Sequence, residues 1–357
     1  MISHDDILQT LRRVRYPGSK SNIIDEGLLR DLHVDGFNIS FSLAFTKTGT
    51  AFTGSVARAV KQALTEKFGS KIKLDLKLIP YSPPAKTAES AASNNLQNVQ
   101  NIIAIASGKG GVGKSSVAAN LAIALSQHNY RVGLLDADIY GPSLPKMFRS
   151  EDARPMAEKV DGHELIQPID RYGVSHLSIG HFVAPADAII WRGPMASNAV
   201  RQLIQNTAWG SLDVLLIDLP PGTGDVHLTI VQSLSLTGAI VVTTPQGIAL
   251  ADARKAISMF QNDKVNVRVL GIIENMSWFT PAELPDHKYY LFGQGGGSLL
   301  ANETAIPLLA QIPIIQSICE SSDAGIPEVM RLDSPLSPIF AALVQSLAQS
   351  LNLSLGK

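Results

Sequence analysis

Cysteine is almost absent from this chain: Cys319 is the only one in 357 residues. An intramolecular disulfide is therefore excluded, as is any Cys-x-x-Cys pair within one chain. An excess of charge is missing as well, with 30 basic against 31 acidic residues and a net charge of −1. No run of Lys and Arg stands out, so neither a nucleic-acid partner nor an anionic membrane partner is expected. No apolar run approaches the roughly 20 residues that span a bilayer. The start, Met1-Ile2-Ser3-His4-Asp5-Asp6, is acidic and lacks the charged-then-apolar pattern of a secretory signal. These absences read as a soluble, cytoplasmic protein, long enough for two domains.

What is present centres on Gly108-Lys109-Gly110-Gly111-Val112-Gly113-Lys114-Ser115-Ser116. The apolar run Ile102 to Ala106 precedes it and Val117 to Ala122 follows, which predicts strand, glycine-rich loop and helix. Glycines let consecutive backbone N–H groups turn inward on an anion, and the start of the helix adds the positive end of its dipole. The match to G-x-x-x-x-G-K-[ST] makes that anion a nucleotide phosphate chain. Lys114 is expected to reach the β- and γ-phosphates, and the Ser115 hydroxyl to ligate Mg²⁺. Lys109, read from the residues alone, is a solvated loop charge. The stretch Lys109 to Ser115 also resembles the signature K-G-G-x-G-K-[ST] of the deviant Walker A ATPases. That resemblance implies an ATP-dependent homodimer in which Lys109 reaches the nucleotide held by the other subunit.

Before the loop, residues 1–80 read as a small α/β unit. Ile7, Leu8, Leu11 and Val14 fall at helical spacing, and a second short helix is expected through Ile23, Ile24, Leu28 and Leu29. His33 to Val34 and Phe37 to Phe45 suit a hairpin, Val56, Val60 and Leu64 a helix, and Ile72 to Ile79 a strand. This order resembles the MIP18-like (DUF59) domain of iron–sulfur assembly factors. Members often carry a D-P-E turn and a cysteine; here Tyr16-Pro17-Gly18 and the Thr46 to Phe52 region stand in their places, with neither the acids nor the thiol. Residues 81–100, poor in large apolar side chains, read as a linker. Residues 101–357 form the ATPase domain.

Within that domain, strands are expected at Ile102 to Ala106, Arg131 to Asp136, Leu212 to Asp218, Ala239 to Thr243 and Val267 to Glu274. Short continuous apolar runs alternating with helical segments predict an α/β fold: a mostly parallel sheet covered by helices, with ligands at the carboxyl ends of the strands. Asp136 and Asp138 follow one strand; two carboxylates one residue apart can serve metal and water separately. Asp218 closes another, the Walker B position, where it is expected to hold Mg²⁺. The loop Leu219-Pro220-Pro221-Gly222-Thr223-Gly224-Asp225 behind it suits a sensor of the γ-phosphate. By the deviant Walker A resemblance, Asp138 orients the attacking water, leaving Asp136 to support Mg²⁺ or the loop.

Four stretches narrow the resemblance to the Mrp/NBP35 branch, ApbC-like proteins in particular: Asp218 to Asp225, Trp191-Arg192-Gly193-Pro194-Met195, Thr243-Thr244-Pro245-Gln246 and Glu274-Asn275-Met276-Ser277. The resemblance implies a P-loop NTPase that binds ATP, hydrolyses it slowly, and carries iron–sulfur clusters to apoprotein clients. It assigns Asn275 to the adenine, and Trp191 to Pro194 to the dimer face or the client site. In that family a C-x-x-C pair commonly bridges the cluster between two subunits, between the Asn-Met-Ser and Phe-Gly-x-Gly-Gly motifs. Here the interval from Trp278 to Leu291 holds no cysteine. Clusters prefer thiolates, typically four, and a dimer offers two copies of Cys319. Glu283, Asp286 and His287 are further candidates, and Cys319 itself reads better as a small buried hydrophobe. The eight histidines show no metal-ligand spacing. The C-terminal run Ile339 to Leu347 reads as a packed helix without the basic face that binds membrane.

The expected protein is thus a nucleotide-gated carrier with ATP, Mg²⁺ and clusters as ligands. An adaptor in iron–sulfur assembly that holds no cluster is the alternative, and a positioning or partitioning ATPase a third.

Overall fold

A computed structural model describes residues 4–14, 22–24, 28–45, 51–69, 72–80, 95–160, 163–182, 193–281 and 283–353. The chain divides into two compact units, Met1–Ala91 and Ala92–Lys357.

The first unit runs α1 (His4–Leu11), β1 (Leu29–Asp35), β2 (Asn38–Phe45), α2 (Ala51–Phe68) and β3 (Lys73–Pro80). β1 and β2 form the expected antiparallel hairpin around Gly36, whose φ of 59° suits a residue without Cβ. After α2, β3 returns parallel to β2. Ile39, Phe41, Leu43 and Phe45 alternate along β2 and bury one face against Val56, Val60 and Leu64 of α2 and Ile7 and Leu11 of α1. The helix expected through Leu28 and Leu29 is not formed there. Leu29 opens β1 opposite Leu43, and the Leu28 carbonyl accepts from Ala44 N at 2.9 Å, so pairing with β2 overrides the local period. Tyr16-Pro17-Gly18 and Thr46 to Thr50 lie outside the described residues.

The second unit opens with β4 (Val99–Ala106), which takes in the last two residues read as linker, then α3 (Lys114–Gln127), β5 (Val132–Asp136) and the single turn α4 (Leu144–Met147). A two-stranded antiparallel pair follows, β6 (Ala157–Val160) and β7 (His163–Ile166), then β8 (Ile169–Arg171) and β9 (Val174–Ser178). Next come α5 (Gly193–Gln205), β10 (Leu212–Asp218), α6 (Asp225–Gln232), β11 (Gly238–Thr243) and α7 (Gly247–Gln261). The unit ends with β12 (Val269–Phe279), α8 (Gly296–Thr304), β13 (Leu308–Ile314), α9 (Gln316–Asp323) and α10 (Ser337–Leu351).

Eight strands form one sheet in the order β13-β12-β11-β4-β10-β5-β9-β8, parallel except for the β8–β9 edge. Alternate residues of β4 feed two cores. Ile103 and Ile105 pack with α3 and α10, whereas Ile102, Ala104 and Ala106 pack with α5, α6 and α7. Each fully buried Ile or Leu in these layers contributes about 1.5–3 kcal/mol of transfer free energy. α10 buries Phe340, Leu343, Val344 and Leu347, the packing expected of the C-terminal run.

Strands β8, β9 and β13 are additional to the five expected from sequence. β9 carries Ser175, His176 and Ser178 in place of an apolar run, and Pro313 in β13 is tolerated because β13 is an edge strand. β12 continues past Glu274 to Phe279, where Phe279 and Tyr289 exchange two backbone hydrogen bonds of 2.8 Å.

Candidate functional site

β4 lies between β10 and β11, so the loop after it emerges at the carboxyl edge of the sheet with acid-bearing strand ends on one side. A Cβ on Gly108 would lie 2.1 Å from the Asp252 carbonyl in α7, so only glycine lets the loop start there. Gly113 holds φ at 80°, and a Cβ on it would meet the Asn275 amide nitrogen. Asn275, in the second half of β12, is buried and donates from Nδ2 to the Val112 carbonyl at 2.9 Å. The loop's shape is thus set from α7 and from β12, both far away in sequence.

Lys114 and Ser115 open α3. The Lys114 side chain is buried, with Nζ 2.5 Å from Asp218 Oδ1 and 3.4 Å from Ser115 Oγ. Asp218 is fully buried, and its Oδ2 has no hydrogen-bond partner among the described residues. Burial pushes the Asp218 carboxyl above its ordinary range and Lys114 opposes the rise.

In the parallel register Asp136 of β5 sits beside Asp218. Burial and the Asp218 charge push Asp136 up to about 7, and hydrogen bonds hold it down. Those bonds are numerous. Oδ1 accepts from Asp138 N at 3.0 Å, while Oδ2 accepts from Ser143 N and Leu144 N at 3.2 Å and from Ser178 Oγ at 2.9 Å. Both Asp136 oxygens are thus engaged with the loop that follows β5 and with Ser178. Asp138, also buried, accepts from Tyr140 N at 3.2 Å, and its charge acts on both Asp218 and His227.

The loop from Leu219 to Gly224 is tied to the phosphate loop. Leu219 N donates to Ile105 O and Gly222 N to Ser107 O, both at 3.0 Å. Ser107 Oγ in turn donates to the Lys109 carbonyl at 2.9 Å. Lys109 is half-buried and, among the described residues, takes no part in the Lys114–Asp218 pair.

Beside Gly113, Ser116 and Asn275 opens a cavity of about 500 Å³, walled by Ile314, Ile315 and Phe340. Its size and apolar walls suit a flat aromatic ring with a few polar contacts. The apolar wall residues were not singled out from the sequence; Ile312-Pro313-Ile314-Ile315 reads there only as an apolar run. Glu274, one residue before Asn275, is also buried: its carboxylate accepts from Gly297 N at the start of α8 and from Gln311 Nε2 at 2.7 Å. It fixes the turn Gly293 to Gly297 against the strand ends.

Cys319 departs from expectation. It is exposed on α9, at the rim of that cavity, because α9 is a short surface helix whose only buried residue is Ser321. No group of three or more His, Cys, Asp or Glu suited to a metal ion occurs among the described residues. Glu283, Asp286 and His287 are exposed. Trp191 and Arg192 lie outside the described residues.

Residues 98–348 match the ParA family described as NUBPL iron-transfer P-loop NTPases, and residues 4–73 match a family of iron–sulfur cluster assembly proteins. An iron–sulfur cluster carrier protein of Haemophilus influenzae is 41% identical over 97% of this chain and 92% of its own length. One from Synechocystis is 38% identical over 99% of each. Among solved structures, the nucleotide-binding protein of Archaeoglobus fulgidus in complex with ADP is 37% identical, with a TM-score of 0.58, covering 68% of this chain and 93% of that one. The cell-division ATPase MinD of Pyrococcus furiosus shares the fold at 22% identity and a TM-score of 0.52, over 70% of this chain and 99% of its own. With its strand-loop-helix phosphate cradle and matches of this extent, the chain belongs to the NUBPL-type iron-transfer P-loop NTPases.

Proposed function

We propose that the protein binds Mg²⁺ and ATP at Gly108 to Ser116, hydrolyses the ATP slowly as a homodimer in the cytoplasm, and uses the cycle to load iron–sulfur clusters and pass them to apoproteins. The observation that carries the ATPase reading is the buried Lys114–Asp218 pair beneath the glycine loop. Val112 and its neighbours in the loop offer backbone N–H groups to the phosphates, and Asn275 with the adjoining cavity receives the adenine. Lys114 leaves Asp218 for the phosphates as a point charge. The residues fit a divalent ion, since Asp218 Oδ2 is a buried acceptor without a hydrogen-bond partner among the described residues, and Asp218 Oδ1 and Ser115 Oγ both lie within 3.4 Å of Lys114 Nζ. Ser115 and Asp218 would hold it, Asp136 bracing the loop behind them. Bound there, Mg²⁺ would neutralise phosphate charge. Asp138 orients the attacking water, and Lys109 of each subunit adds positive charge at its partner's nucleotide.

Lys114→Ala is expected to abolish nucleotide binding, and Asp138→Ala to keep binding while losing turnover. Unchanged affinity in Lys114→Ala would sink the site.

The cluster is cargo, and one cysteine per chain does not provide the four thiolates that a cluster ordinarily takes from protein. That single cysteine favours a second reading, an ATP-driven adaptor in iron–sulfur assembly that holds and releases a protein client. Anaerobic reconstitution with iron and sulfide, with quantitation of both and an absorption spectrum, separates the two. Stoichiometric cluster in the parent that is lost in Cys319→Ala supports the carrier; no cluster in either, with ATPase intact, supports the adaptor.

A further inference from the structure

Among the described residues, the stretch Leu219 to Gly222 is held at three points. Two are backbone bonds, from Leu219 N and Gly222 N to β4 and the residue after it, and no side-chain replacement alters their donors or acceptors. The third is a side chain. His227, in α6 and buried, places Nε2 2.5 Å from the Pro220 carbonyl. A carbonyl only accepts, so Nε2 carries the proton and donates. Burial keeps the ring from charging, with Lys114 opposing protonation and Asp138 favouring it. Pro220 stands two residues after Asp218, and the next residue, Pro221, lies over the phosphate loop, 3.8 Å from where a Cβ of Gly110 would be. The tether therefore fixes the start of a proline-glycine loop that runs over the phosphate loop.

We infer that His227 is a positioning residue for hydrolysis, acting through the Pro220 carbonyl to set where Pro221 to Gly224 sit over the phosphate loop. The inference rests on the reading of this site as a hydrolysing ATPase. Phosphates are gripped by Gly108 to Ser116, which His227 does not touch, so nucleotide affinity is independent of the tether. Turnover depends on it, because a loop free to drift spends less time in the arrangement that completes the site.

The test uses the full-length protein and two polar replacements. Glutamine places its amide nitrogen about where Nε2 stands, whereas asparagine falls short of Pro220. His227→Asn is expected to lower kcat by about tenfold, the order of one lost hydrogen bond, with KM and the Kd for a fluorescent ATP analogue within about twofold of the parent. His227→Gln is expected to keep kcat within about threefold. Equal kcat in parent and His227→Asn overturns the inference, as does a His227→Gln as slow as His227→Asn or an affinity loss that matches the kcat loss. A parent that binds ATP but never turns it over removes the hydrolytic reading itself, and the inference with it; an active parent unaffected by either replacement removes only the role of His227.

Discussion

Replacing Lys114 by alanine leaves the fully buried Asp218 carboxylate without the ammonium 2.5 Å away. Breaking a buried pair in this way costs about 3–5 kcal/mol. Asp218 has one escape, which is to take up a proton. Neutralising a carboxyl of ordinary pKa 3.8 at pH 7 costs about 4 kcal/mol, at roughly 1.4 kcal/mol per pH unit, and that caps the loss. At pH 5 the same cap is under about 2 kcal/mol. The direction follows from the pKa: without Lys114 the folded carboxyl is raised above its unfolded value. The folded variant therefore binds more protons than its unfolded form, and it recovers relative to the parent as pH falls. Lys114→Ala should cost about 3–4 kcal/mol at pH 7 and less than about 2 kcal/mol at pH 5. Lys114→Ala with Asp218→Asn, which removes the stranded charge, should regain most of the loss without regaining nucleotide binding. Urea unfolding in EDTA without nucleotide, followed by tryptophan fluorescence, is suitable because Trp191, Trp209 and Trp278 all belong to the second unit. A loss of equal size at both pH values, or a double variant no more stable than the single one, would refute the argument.

Gly108→Ala drives a Cβ into the Asp252 carbonyl, whereas the nearest atom to a Cβ on Gly110 is Pro221 at 3.8 Å. Gly108→Ala should lower stability by about 1–3 kcal/mol with loss of nucleotide affinity, and Gly110→Ala should be stable; equal thermal midpoints would contradict this. Asp138→Ala should retain ATP binding while turnover falls by about 100-fold or more, read by single-turnover hydrolysis. His176 is stacked on Phe148 and shares Ser150 with His181, and burial, with His181 adding, lowers it to about 3. Its unfolded form protonates first, so its contribution falls away as pH drops below 6.5; between pH 7 and pH 5 the parent should lose about 2 kcal/mol more than His176→Gln, measured in urea. A pH-independent gap between the two would rule that out.

The phosphate loop was legible because its glycines, lysine and serine are consecutive, and the local strand-loop-helix geometry follows from them. The central strands were legible too, since Ile102 to Ala106 and Leu212 to Asp218 are continuous apolar runs. What escaped depends on partners distant in sequence. Leu29 extends because Leu43 lies opposite, and β13 is a strand despite Pro313 because it stands at the edge. Asp136 and Asp138 look alike in sequence, yet only the folded chain brings Ser178 to Asp136 and turns it into a brace. Cys319 follows an apolar run, but α9 lies on the surface and leaves the thiol outside. His227 had no motif of its own; its one signal was its place two residues after the Pro-Pro-Gly-Thr-Gly-Asp loop.

The grip of Asn275 on Val112, and the fit of Gly108 against Asp252, brace the backbone of the phosphate loop from β12 and α7, independently of what the loop holds. A ligand that meets a braced loop loses its own freedom but orders little of the backbone around it. Capture should then be quick for ATP and ADP alike, and the two would differ chiefly in how long they stay. The swap of spent nucleotide for fresh would then be governed by departure rather than by capture.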